Sequence, residues 1–367
     1  MNKERTLLRS LAMGMAGLFI LFTSGCTQVP TRELSQYRDA FEQVQKTSED
    51  ILIDFAQAKE KAELRRAVSD TEPAPQPKTF SSDLGGGDVK QPDAIEVRRT
   101  ALRTIDKFNN VLVTLAEDKE VQAVRDAGGG LVQAAGKFVV AATGNTVPGL
   151  SAVSSLVQTL AGQFEKARER KEFEKAVRGG APVIDSMLAA LSEDRKDHMA
   201  LRADEANQVQ VDIMLEMIPS VIAVRDLFAA RSEPSGNDPR EDMQDDLNKA
   251  LMPAKTALAF NLPLKLAYTP GKPAFKTQDR VLVQQSIGRV KDQVVKYQAN
   301  VAAYENIRNA LNDYGVMLEK TRSALRLLEA ALDNPPNLEE TAEDLYQISF
   351  SVKKDIEAFR AAQQAVQ

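Results

Sequence analysis

Few residues of this chain can do covalent or acid–base chemistry, and each stands nearly alone. Its 367 residues include one cysteine, Cys26, one histidine, His198, and no tryptophan. One Cys and one His cannot close a tetrahedral zinc cage, and one Cys cannot make an internal disulfide. A carboxylate–histidine di-iron centre in a helical bundle needs two Glu-x-x-His pairs, which a single histidine rules out. A serine triad would have to use His198, and no Gly-x-Ser-x-Gly elbow accompanies it. His198 follows Glu193, Asp194, Arg195, Lys196 and Asp197. That charged run reads as a surface or loop position.

Other matches are superficial. Gly136-Lys137 follows Gly128-Gly129-Gly130, but the spacing is not that of a phosphate loop, and Phe138 stands where a Ser or Thr would hold magnesium. Ser351-x-x-Lys354 has no Lys-Thr-Gly companion. Paired acids such as Asp245-Asp246 and Glu339-Glu340 read as helix-surface charge. Carboxylate-only chemistry stays open on counts alone, although no EF-hand spacing occurs. The charge balance is 47 basic against 52 acidic residues, net −5. No catalytic, cofactor-binding or metal-ligating residue is assigned, and nucleic acid is not an expected partner, because neutralising phosphates needs a basic surface.

Cys26 is different because of what precedes it. Lys3, Arg5 and Arg9 make a positive start, Leu11 to Phe22 is an uncharged apolar run, and Thr23-Ser24-Gly25 supplies small residues. The run is too short to cross a bilayer, which takes about 20 apolar residues, and has the layout of a secretory signal. With Cys26 the stretch resembles the lipobox of bacterial lipoproteins at Ser24, Gly25 and Cys26, and departs from it at Thr23, where that family has an aliphatic residue. The resemblance implies removal of residues 1–25 and lipidation of Cys26. Thr27, rather than Asp, implies the outer membrane, on the periplasmic side or the cell surface. The mature chain would then carry a net charge of about −7.

Helical periodicity fills most of the chain beyond Cys26. Tyr37, Phe41, Val44, Ser48, Ile51, Phe55 and Ala58 fall at three- and four-residue intervals, predicting one long helix over 31–68. Residues 71–92, with prolines at 73, 75 and 77 and three consecutive glycines, predict a linker. A helix opens near Asp93 and Glu96. Residues 127–164 carry Lys137 as their single charge and are rich in Gly and Ala, predicting an apolar hairpin of two helices, 131–142 and 150–164. Charged helix resumes over 165–178, and Gly179-Gly180 predict a stop. A further helix spans 182–231, with a break expected near Glu193–Lys196 and a bend at Pro219.

Asp238, Pro239 and Glu241 predict another helix start. Residues 260–278 read as irregular. From Val283 to Leu332 apolar residues keep heptad spacing with one three-residue slip, predicting a helix over 278–332. A last helix starts near Asn337.

The fold class expected is all-α, an elongated bundle of long antiparallel helices with coiled-coil character. Its segments are a signal peptide (1–25), the anchor with a first long helix (26–70), a linker (71–92), a helical region with the hairpin (93–232) and a C-terminal helical region (233–367). The function expected is that of a non-enzymatic, membrane-anchored envelope lipoprotein. It would serve as scaffold, spacer or docking platform, partnered by another envelope protein or by its own copies through heptad faces. The alternative is a membrane-contacting protein using the hairpin 127–164, a layout similar in arrangement to α-helical pore-forming toxins.

Overall fold

The computed structural model describes residues 31–69, 94–117, 119–143, 149–258, 262–331 and 339–366. The described chain is all-α, built of eight α-helices with no strand. They are α1 (Thr31–Ser69), α2 (Ala94–Ala116), α3 (Val121–Ala142), α4 (Leu150–Lys166), α5 (Arg170–Ala229), α6 (Arg240–Leu251), α7 (Thr277–Ala331) and α8 (Glu339–Val366). The signal peptide, Cys26, the 71–92 linker and the turn at 334–336 lie outside the described residues. No described helix is long and apolar enough to cross a membrane.

The helices gather into two compact units, each discontinuous in sequence. Described residues of Met1–Gln43, Pro92–Leu188 and Glu319–Tyr346 form the first; those of Val44–Gln91, Ala189–Leu318 and Gln347–Gln367 form the second. Described residues of α1, α5, α7 and α8 belong in part to each unit.

In the first unit α3 packs between α2 and α4. Phe108, Leu112 and Leu115 of α2, Leu131 and Phe138 of α3, and Leu150, Val157 and Leu160 of α4 are all buried. The helix interface is close where side chains are small. A Cβ on Gly128 would meet the Phe173 ring at 3.1 Å. Gly149, at φ 77°, makes the turn into α4, a conformation that side chains resist. The hairpin is longer than its apolar stretch: α3 begins at Val121, so Gly128–Gly130 lie inside it.

Two expected stops are absent. Gly179-Gly180 sit inside α5, which runs unbroken to Ala229 through Glu193–Lys196 as well. A Cβ on Gly180 would strike Leu160 and come within 2.8 Å of Phe108 Cε2, so packing against α4 and α2 explains this glycine. The real break falls earlier. The Glu172 carboxylate reaches back to accept the backbone N–H groups of Arg168 and Glu169, fixing the start of α5. Those two bonds hold its carboxyl below the usual range.

The second unit is centred on α5, α6 and α7. Met217, Val221, Val224 and Phe228 of α5 pack with Met243, Leu247 and Leu251 of α6 and with Val283, Ile287, Val290 and Val294 of α7. The irregular segment 262–276 is tied down by side chains of α6. Asn248 exchanges two hydrogen bonds with Leu264, and Gln244 accepts the Leu266 N–H. Asp238 accepts the Arg240 N–H at 2.8 Å, capping α6 as its position before Pro239 predicts. At the expected slip on α7, Val301 and Tyr304 are only half-buried, whereas Asn300 and Ala303 face inward. Asn300 donates to the Ala206 carbonyl of α5 at 2.9 Å.

Candidate functional site

Cys26, the lipidation site expected from the sequence, lies outside the described residues. The other motifs resolve into ordinary helix. Gly128 to Lys137 form turns of α3, whose interior N–H groups are occupied by the helix and cannot cradle a phosphate. Ser351 is exposed and donates weakly to Asp313, at 3.4 Å. Asp245 is exposed and pairs with Lys249 one turn on.

His198 is not at the surface. It is 4% exposed, on the face of α5 that meets α1, and its Nε2 lies 3.3 Å from Asp54 Oδ2. In the charged run before it Glu193, Lys196 and Asp197 are exposed and Asp194 and Arg195 half-buried, and the histidine ring turns inward to lie 4.7 Å from the Phe55 ring. One turn further, the Arg202 guanidinium bridges Asp54 and Glu205. It also donates to the Asp54 backbone carbonyl at 3.1 Å, and Lys61 approaches Glu205 from the half-exposed edge at 3.5 Å. Burial by itself would raise the Asp54 carboxyl, but His198 and Arg202 together outweigh that and hold it below the usual aspartate range.

Sequence reasoning missed this cluster, although its signal is present. Asp54 falls three residues after Ile51 and four before Ala58, on the buried stripe of α1. Arg202 sits four residues from both His198 and Ala206 on the buried stripe of α5. Polar residues at seats of a buried stripe on two helices are the mark of an internal ion pair.

Chemically the cluster is closed. Asp54, His198, Arg202 and Glu205 are all less than a tenth exposed, and Arg202 is engaged with both carboxylates. A substrate could reach them only by parting α1 from α5. A second carboxylate pair links α7 to α8: burial, the Asp313 charge and a hydrogen bond with Asp313 all raise the Asp355 carboxyl. Among the described residues, no three His, Cys, Asp or Glu side chains are grouped to hold a metal ion.

Comparison with known family models, curated proteins and solved structures finds no match to this chain.

Proposed function

We propose that the protein is a non-enzymatic envelope lipoprotein, held by acyl chains on Cys26 at the outer membrane, whose helical body serves as a docking platform for another envelope protein. The observation that carries this reading is the Ser24-Gly25-Cys26 sequence after a charged start and a short apolar run, with the chain's single cysteine at the position lipidation requires. Several acyl chains, at about 0.8 kcal/mol per buried CH₂, give durable anchoring where one chain does not. The described body leaves apolar helix positions open for contacts: Leu215 of α5 and Leu282 and Val295 of α7 are exposed, whereas heptad residues such as Ile287, Leu311 and Leu318 are packed inside. Anchoring raises the local concentration of partners, and helix faces supply the contacts.

The test is metabolic palmitate labelling followed by cross-linking in intact cells. Wild-type chain takes up label and recovers an envelope protein from solubilised membranes. Cys26→Ala takes up none and leaves the membrane fraction. Label on Cys26→Ala contradicts the anchor, and an anchored chain that cross-links to no other protein contradicts the platform.

Two exposed side chains favour a second reading, membrane contact by residues 127–164. Val140 of α3 is 70% exposed and Leu156 of α4 is 49% exposed. Their neighbours Phe138 and Val157 are fully buried, so contact would engage the outer faces of the hairpin without opening it. Protease protection of 127–164 that appears only with liposomes would select this reading.

A further inference from the structure

The stretch of α5 from Val211 to Val224 is apolar nearly all the way round. Between Ile213 and Val224 its single charge is Glu216. One face is accounted for: Ile213, Met217, Val221 and Val224 are buried. The other face is not. Val211 is 42% exposed, Leu215 is 63% exposed, and Ile218 and Ile222 are half-buried. Their spacing of four, three and four residues is that of a helix-docking stripe about 16 Å long. A helix apolar on every side is normally covered on every side. Beyond Ile222 the stripe meets a small cleft of about 30 Å³ lined by Arg225, Lys265, Leu247 and Leu264.

The rim of the stripe is acidic over its first turns and basic only at its far end. Asp204, Asp212 and Glu216 are exposed along it, whereas Arg225, paired with Asp226 at 3.1 Å, and exposed Lys265 lie at the cleft beyond Ile222. Anionic lipid is repelled by such a rim, and a second copy would bring an equally acidic one. Resting on the docking-platform reading, we infer that the Val211–Ile222 stripe of α5 binds a basic amphipathic helix of another protein, apolar side inward and Lys or Arg over Asp212 and Glu216.

The test uses the full acylated chain in detergent and a labelled helical peptide of Leu, Ala and Lys, about 18 residues or five turns long. Fluorescence anisotropy should show binding that weakens with salt, and an otherwise identical Glu-for-Lys peptide should not bind. Leu215→Glu makes the rim more acidic and yet should weaken binding about tenfold, because the apolar seat is lost. Asp212→Lys should weaken it through charge. Val295→Glu, at an equally exposed apolar residue of α7, should leave it unchanged.

Retained binding in Leu215→Glu, equal binding of the acidic peptide, or equal loss in Val295→Glu overturns the proposal. A polarity-sensitive dye on Leu215→Cys, the only free thiol once Cys26 is acylated, separates the other occupants. A blue shift on adding the basic peptide supports the inference. A blue shift on reconstitution into phosphatidylglycerol vesicles without peptide, or with rising protein concentration alone, assigns the face to lipid or to self-association and overturns it. Peptide binding can fail while the chain still cross-links to an envelope partner, so failure here is separate from failure of the platform reading.

Discussion

Arg202 lies between Asp54 and Glu205 with 3% of its surface exposed, so its removal would leave buried Asp54 with His198 alone and Glu205 with Lys61 alone, at 3.5 Å. Breaking such a pair from one side costs about 3–5 kcal/mol, more than the pair contributes over an apolar substitute. Arg202→Met should therefore lower stability by about that amount in urea unfolding, while the triple change Asp54→Leu, Arg202→Met, Glu205→Leu should recover much of it. Acid acts on the same residues with a definite sign. The Asp54 carboxyl is depressed in the folded chain, so the stability it contributes is present above the ordinary aspartate value of about 3.9 and is lost as pH falls through the depressed value. Asp355 has the opposite sign. Its carboxyl is raised beside Asp313, so its proton favours the folded state at low pH and that advantage disappears as pH rises through the raised value. Asp355→Asn should raise the melting temperature at pH 7 and leave it unchanged at about pH 3, below the ordinary aspartate value.

At the scale of elements, glycine shows why boundaries are harder to read than helices. Gly180 and Gly136 both lie inside helices, yet their surroundings differ. A Cβ at Gly180 has no room between Leu160 and Phe108, both fully buried, whereas a Cβ at Gly136 meets nothing within 4 Å. Gly180→Ala should destabilise by about 1–3 kcal/mol through overpacking. Gly136→Ala should stabilise by about 0.5–1 kcal/mol, because alanine loses less entropy in a helix. Thermal unfolding of the two variants reads the opposite signs directly.

The apolar stripes of α1 and α7 were legible because side chains at three- and four-residue intervals bury about one residue per turn. The course of α5 was not legible, because a glycine pair that stops an isolated helix also permits one to pack tightly. His198 was hidden for a similar reason. Its neighbours in sequence are exposed charges, and its neighbour in space, Asp54, is 144 positions away.

At the scale of the molecule, the chain folds into two units that each collect residues from three stretches, so neither can be cut out as a consecutive piece. Long-range ties hold each one together. In the first, Arg322 of α7 grips Asp185 of α5 through two hydrogen bonds of 2.9 and 2.7 Å. In the second, Thr47 of α1 donates to the Ser349 carbonyl of α8 at 3.2 Å. The all-α class and the helix faces follow from periodicity, whereas the discontinuous units depend on side-chain pairs remote in sequence, which periodicity does not register. The proposed role depends on residues at the start of the chain, the charged start, the apolar run and Ser24-Gly25-Cys26. Mass spectrometry of the amino-terminal peptide of protein extracted from its native membrane tests that role most directly. A lipoprotein anchored in this way has lost residues 1–25, and its Cys26 carries a diacylglyceryl group on sulfur and an acyl chain on its amine. A chain that retains residues 1–25, or one whose Cys26 is a free thiol, would contradict the role.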